Sequence, residues 1–412
     1  MKLISRVLIF GLFFGVFIFI VAYARGYRLD LHKKSFTSTG IIAITSSPKA
    51  AKVYVNGELR GVTDTSLTLA PGAYTIEIKK DGYMSWSKKF NLKGELVMVA
   101  DATLFPINAS LTPLTNLGIV KIVSIDDTGR LLLFSQQDNI EKDGIHLFDP
   151  NLKLISIFPP LKMILAKKNL PQDIDFTKSK VYFSPDYKEG LFEFELPTGS
   201  VSYLLSFDEE NKELLDMTAS KDSLLKMWDE EKRLESIKIL EALPKLLQPT
   251  ASDSFHIISF TLDKTKVLYT ATHKDTLPLL INPPLISGDQ EKETRSLETG
   301  KLYVYDIKED KNFKIELSDE LTKEIEAKSE ERNEMTRAEH YVMWYPDSRH
   351  LVLNESRQIA IVEYDNTNRQ IVYAGPHEDG YVDVTQDGKL LVLANLNSLI
   401  NKFPDLYVVG IK

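Results

Sequence analysis

No cysteine occurs in the 412 residues. Its absence excludes disulfides, Cys-ligated zinc, iron–sulfur clusters and thiol nucleophiles together. Histidine is scarce: His32, His146, His256, His273, His340, His350 and His377 stand apart, and none shares a metal-ligand spacing with another. His340 and His350 flank a strand-like run, but two lone histidines are not a site. The chain also lacks a G-x-S-x-G elbow, a Walker loop, an H-E-x-x-H helix and a Rossmann glycine fingerprint. Positive charge is not in excess: 50 Lys and Arg against 58 Asp and Glu leave a net charge of −8. Nothing there neutralises a run of phosphates, so nucleic acid is not an expected partner. No catalytic, cofactor-binding or metal-ligating residue is assigned, and no cofactor is expected.

What remains is ordinary for folded protein, with 43% hydrophobic and 26% charged residues and length enough for two or three cores. The first stretch differs. Val7 to Ala24 reads VLIFGLFFGVFIFIVAYA, without a charge. At ~1.5 Å per residue it makes about 27 Å of helix, near the thickness of a bilayer core. Residues 1–25 are therefore read as a transmembrane anchor holding a single-pass protein in the membrane through residues 7–24. The competing reading is a secretory signal cleaved at Ala22-Tyr23-Ala24. The length of the run, its phenylalanines and the immediate Arg25 favour the anchor. Lys2 and Arg6 precede the run; Arg25, Arg28, Lys33 and Lys34 follow it. A bare count of positive charges would leave the body in the cytoplasm, but long domains translocate largely regardless of charge. Basic residues followed by an apolar run is also the export layout, so an extracytoplasmic body is expected. Residues 26–39 read as a linker.

Residues 40–107 are dense in strand and turn signals. IIAI (Ile41 to Ile44) is β-branched, and KVYV (Lys52 to Val55) alternates before Asn56-Gly57. Asn-Gly is the strongest short hairpin signal, because both residues accept the positive φ of a type I′ turn. Pro71-Gly72 reads as a type II turn, AYTIEIKK as an alternating strand, and Asp81-Gly82 and Lys93-Gly94 as further turns. This spacing predicts a small β-sandwich. Tyr54, Tyr74, Tyr83 and Trp86 could stack on a sugar, but a domain this small needs large apolar side chains for its own core.

SSPKAAKVYVNGELRGVT followed by LAPGAYTIEIKKDGYMSW resembles the PEGA domain, a small β-sandwich of extracytoplasmic proteins in bacteria and archaea. The likeness rests on Ser47-Pro48, Ala51, Val53, Tyr54, Asn56-Gly57, Gly61, Thr63, Pro71-Gly72, Tyr74 and Gly82-Tyr83. Lys49-Ala50 replaces the family's Glu-Gly, and Asp64 stands where a proline often follows. The resemblance implies display or binding, with no catalytic residues to carry over.

Beyond this unit one turn pattern recurs, apolar–x–x–Asp–x–x–x–apolar–apolar, at Asp127, Asp186, Asp222, Asp263, Asp347 and Asp387. The spacings are 59, 36, 41, 84 and 40 residues, and three lie near the ~40 residues of a propeller blade. The wide interval is either two periods or one period with insertions. Second strands follow as IHLFD, LYVYDIK, IAIVEYD and LYVVGIK. The pattern resembles TolB-like and WD40-like propeller repeats, most clearly at Ser184-Pro185-Asp186, Pro346-Asp347-Ser348 and Asp387-Gly388-Lys389. The expected fold is mainly β: an N-terminal transmembrane helix, a PEGA-like sandwich, then a six- or seven-bladed propeller over residues 112–412. The strand after Ala109 is expected to close the ring on the last blade. The aspartates are read as turn-formers that bond their own backbone, not as metal or catalytic ligands.

Two insertions interrupt the repeats. Residues 277–300 read as a long exposed loop, and residues 318–340 as a charged helix with Ser318 as N-cap and a Glu324–Lys328 pair. That helix is either solvated decoration or a partner-binding lid. The function expected is a non-catalytic binding or scaffold protein of the cell envelope, whose partner is a protein or an envelope polymer. The alternative is a propeller enzyme, a lyase or glycoside hydrolase, with its site in the central channel. The apolar strands LLLF, LLKMW, LVL and LLVLA read as packing strands and count against it.

Overall fold

A computed structural model describes residues 2–24, 27–30, 35–125, 129–136, 142–150, 161–172, 174–286, 288–319, 321–323, 341–355, 358–378, 381–399 and 401–411. The chain divides into two compact units. Unit 1 is Met1–Ile107 with Ile281–Lys292, and unit 2 is Asn108–Leu280 with Glu293–Lys412.

Unit 1 begins with helix α1 (Lys2–Ala24). Of its side chains, those of residues 8–21 are described, and all are exposed. Among the described residues no helix is long and apolar enough to cross a membrane. This corrects both the transmembrane helix and the single-pass membrane location expected from residues 7–24. The segment read as a linker carries a hairpin of β1 (Tyr27–Asp30) and β2 (Ser35–Ser38).

Two sheets follow. In one, β3 (Gly40–Ser47) lies between β6 (Thr65–Leu69), antiparallel, and β9 (Val97–Thr103), parallel. In the other the order is β5 (Glu58–Val62), β4 (Lys52–Val55), β7 (Gly72–Lys79) and β8 (Trp86–Leu92). Alternate residues of both sheets meet in one core, with Ile42, Ile44, Val53, Ile76, Ile78, Trp86 and Met98 among its members. The alternation legible in the sequence is this inward–outward period of two. Asn56 and Gly57 take φ of 50° and 84°, as a type I′ turn requires. Gly72 opens β7 without a positive φ, so the chain bends at Pro71 without the type II turn.

Ile281–Lys292 belongs to this unit and meets the edge strand β8. Lys88 and Asp289 pair at 3.0 Å with both side chains largely buried. The Gln290 amide imitates a neighbouring peptide group. Its Oε1 accepts from the Asn91 N–H at 2.6 Å, and its Nε2 donates to the Asn91 carbonyl at 3.2 Å.

Unit 2 holds five four-stranded antiparallel sheets among the described residues. The first is β11 (Ile119–Ser124), β12 (Leu131–Ser135), β13 (Gly144–Phe148) and β14 (Leu161–Ala166). Next come β15 (Lys180–Phe183), β16 (Glu189–Leu196), β17 (Gly199–Ser206) and β18 (Leu215–Asp216). Helices α2 (Lys221–Glu241) and α3 (Gln248–Ser254) intervene before β19 (Phe255–Phe260), β20 (Lys266–Ala271), β21 (Leu302–Asp306) and β22 (Lys311–Lys314). The fourth sheet is β23 (Val342–Trp344), β24 (His350–Glu355), β25 (Gln358–Glu363) and β26 (Gln370–Tyr373). The last is β27 (Val382–Val384), β28 (Leu390–Ala394) and β29 (Asp405–Gly410), completed by β10 (Ser110–Pro113). The strand after Ala109 does close the last sheet. This order, with closure by the first strand, is that of a β-propeller.

Neighbouring sheets share apolar clusters. Leu132, Phe134, Phe192 and Phe194 join the first and second, Val304, Leu351 and Leu353 the third and fourth, and Leu131, Leu133, Leu391 and Leu393 the fifth and first. Strands β12, β21, β24 and β28 are buried on both faces. They therefore read as continuous apolar runs without alternation.

Among the described residues the blades number five, not the six or seven expected. Asp222 is the source of the excess: it lies in the first turn of α2, where a negative charge suits the helix N-terminus. The wide interval between Asp263 and Asp347 is one blade with insertions. Within it, Leu277 and Leu297 are buried and the backbone of Leu277 pairs with Arg295, so the ends of the predicted exposed loop form a ribbon. Ser318 Oγ accepts from the Leu321 N–H at 3.3 Å, as an N-cap does. Glu324, Lys328 and the rest of that predicted helix to His340 lie outside the described residues.

Candidate functional site

Apart from Asp222, the recurrent aspartates that the structure describes, Asp186, Asp263, Asp347 and Asp387, are turn-formers. Each joins the first strand of a sheet to the second. Asp186 Oδ1 accepts from Ser184 Oγ at 2.8 Å and from the Lys188 N–H at 3.2 Å. Asp263 Oδ1 accepts from the hydroxyls of Thr261 and Thr265 at 2.7 and 2.8 Å. Burial alone would raise the Asp263 pKa, but those hydroxyls outweigh it and bring it down to about 2. Asp387 accepts from Thr385 Oγ1 at 2.5 Å. Asp127 lies outside the described residues.

Asp347 does more. It accepts from the N–H groups of Arg349 and His350, and its Oδ2 lies 2.7 Å from His350 Nδ1. His350 is buried, with Glu363 at 4.0 Å from Nε2. Burial disfavours the imidazolium, but the two carboxylates prevail and the His350 pKa is raised. The other histidines are dispersed. His146 is buried in β13, and burial lowers its pKa to about 4, so it is neutral. His256 is in β19, while His273 and His377 lie in loops; His32 and His340 are outside the described residues. Among the described residues no group of three or more His, Asp and Glu is placed to hold one metal ion. Trp86 is buried in the sandwich core with Tyr74 and Tyr83 packed against it, and Lys79 Nζ lies over the Tyr54 ring at 5.3 Å.

Two polar clusters in unit 2 were not anticipated. At the junction of the fifth and first sheets, Ser124 Oγ and Tyr381 Oη both donate to Asp383 Oδ2, at 3.1 and 3.2 Å, and Asp383 Oδ1 accepts from the Val384 N–H at 2.7 Å. Burial first, and the Asp383 charge second, push the Tyr381 hydroxyl well above its ordinary pKa. Strands β11 and β27 are terminal strands of their sheets, and the cluster is the candidate site at this junction. Its carboxylate is already engaged by three donors, an arrangement that stitches two blades together. The only sequence signal was an acid between two valines in YVDV.

The second cluster lies in the third sheet. Tyr305 Oη donates to Asp310 Oδ1 at 2.7 Å, Arg295 Nη1 approaches the same oxygen at 3.2 Å, and the Leu280 N–H donates to Oδ2 at 2.6 Å. Asp310 thereby fixes both chains of the 277–297 ribbon.

Residues 39–108 match the PEGA domain family. Among solved structures, the chain is similar to a protein described as TolB from Agrobacterium tumefaciens, at 14% identity and TM-score 0.20, over 70% of each chain. It is similar to a Dos1 propeller at 10% identity and TM-score 0.20, over 93% of this chain and 81% of that one. An oligogalacturonate lyase in complex with manganese aligns at 10% identity and TM-score 0.21, over 86% and 82%. Likenesses this slight carry no argument, and the propeller assignment rests on sheet order and closure. No curated protein matches the chain.

Proposed function

We propose that the protein is a non-catalytic binding or scaffold protein, its propeller presented to a protein or an envelope polymer. The observation that carries this reading is the state of the carboxylates. Asp186, Asp263, Asp347, Asp383 and Asp387 each accept from hydroxyl or amide donors of their own fold. A general base needs an oxygen directed at substrate; these are directed at the turns and the blade junction. A PEGA match in residues 39–108 agrees with a display role.

Immobilised full-length chain should retain a specific component of an envelope extract in stoichiometric amount. It should show no turnover on a panel of uronate polysaccharides and glycosides. Turnover lost on Asp383→Asn would overturn the reading and place an active site at the blade junction.

A further inference from the structure

Helix α2 is held at its two ends. At the first, Lys221 pairs with Glu193 at 2.6 Å and Trp228 is buried. At the second, Leu240 packs against the cluster of Leu243, Leu247 and Tyr269. Between them every residue from 229 to 239 is exposed. A free-standing helical stretch of this length is marginal in water, yet it carries apolar side chains. Met227, Leu234, Ile237 and Ile239 are 51%, 47%, 42% and 37% exposed. At ~100° per residue, Met227, Leu234 and Ile237 fall within an arc of about 80°, on the side away from Trp228.

Charge selects the occupant of this stripe. Asp229, Glu230 and Glu231 precede Leu234, and Lys238 follows it. In a parallel pair of identical helices the acidic triplets would face one another. In an antiparallel pair crossing at Leu234, Glu230, the acid of the triplet that lies on the stripe and pairs with Arg233 of its own helix at 2.7 Å, faces the Lys238 of the other copy. We propose that α2 is a self-association surface, and that two copies of the chain pair through it antiparallel, with Leu234 at the crossing.

The lack of cysteine makes the test direct, because each introduced thiol is unique. Full-length Leu234→Cys, Met227→Cys and Lys232→Cys are oxidised under identical mild conditions, and covalent dimer is followed over time. Leu234→Cys should cross-link at least about tenfold faster than Lys232→Cys, which lies on the opposite face. Met227→Cys should be as slow, since an antiparallel crossing separates its two copies by fourteen residues, about 21 Å. Association elsewhere on the chain would not reproduce this ranking. Lys238→Glu should weaken dimerisation several-fold in sedimentation, and adding Glu230→Lys should restore it. Equal rates for all three thiols would mean random collision, and fast cross-linking at Met227→Cys would mean parallel pairing. Either result overturns the proposal, as does a monomeric mass unaltered by Leu234→Glu.

Discussion

Closure of the propeller depends on Asp405, and its replacement is a sharp test of the fold. The side chain is buried at the start of β29. Its Oδ1 accepts from Thr115 Oγ1 at 2.9 Å, the Leu117 N–H at 2.7 Å and the Gly118 N–H at 3.3 Å. Thr115 Oγ1 in turn accepts from the Leu406 N–H at 2.9 Å. Asp405→Ala leaves three donors without this acceptor in a mostly buried place. Hydrogen bonds to a charged group contribute about 1.5–3 kcal/mol each, and the long Gly118 contact counts for less, so the loss should be roughly 3–5 kcal/mol. That is a large share of the ~5–15 kcal/mol that stabilises a domain. Asp405→Asn keeps an acceptor in place and should cost only about 1–2 kcal/mol. Native-state hydrogen exchange over residues 110–118 and 405–411 reads closure separately from unit 1. Exchange there should rise about a hundred- to several-thousand-fold in the alanine variant, tenfold for each ~1.4 kcal/mol, and far less in the asparagine variant. Rates within a few-fold of wild type for Asp405→Ala would refute the argument, as would equal effects of the two substitutions.

Three further outcomes follow from contacts described above. The His350 pKa is raised in the fold, so its contribution is complete below the unfolded value of ~6.5 and is lost as pH rises through the folded value. The melting temperature should fall as pH is raised above ~6.5, and His350→Gln should flatten that slope; an identical slope would count against the Asp347–His350–Glu363 arrangement. At Gly388, φ is +82° and an added Cβ would meet the Tyr345 hydroxyl, which donates to the Gly388 carbonyl at 3.0 Å. Gly388→Ala should therefore destabilise unit 2 by about 2 kcal/mol in urea titration. Gln290→Ala should speed exchange of the Asn91 amide several-fold and leave Ile78 unchanged; an unaltered Asn91 would mean that Gln290 does not protect the β8 edge.

The parts of this fold that were legible in sequence are those set by neighbours in the chain. Asn56-Gly57 announced its hairpin because the turn demands positive φ from both residues, and the alternation of KVYV and AYTIEIK announced two faces. Asp186, Asp263, Asp347 and Asp387 announced turns because their acceptors are met by donors two or three residues away. The same local logic misled at Asp222. An acid followed by Leu224 and Leu225 satisfies the strand-turn pattern and also the first turn of an amphipathic helix, and its spacing lay by chance near one blade. In α1 the apolar run was legible as a helix but not as a membrane span. The candidate site was hidden for the opposite reason. Ser124 and Asp383 are 259 positions apart, and Gln290 and Asn91 are 199 apart. No local period carries such pairs; the ring and the excursion of Ile281–Lys292 bring them together.

Closure of the last sheet by β10 has a consequence for synthesis. Thr115 and Asp405 are 290 positions apart. Bringing such distant points together costs about 5 kcal/mol of chain entropy before any bond between them forms. At ~5–20 residues per second a ribosome needs about 15–60 s to make that stretch. Throughout this time β10 has no partner, and β28, once made, keeps an open edge until β29 fills the place between them. Open edges are templates for pairing with other chains. The yield of folded protein should therefore respond to growth temperature and chaperone supply more steeply than its melting temperature would indicate, since the hazard lies in the connectivity and is over once Gly410 has emerged.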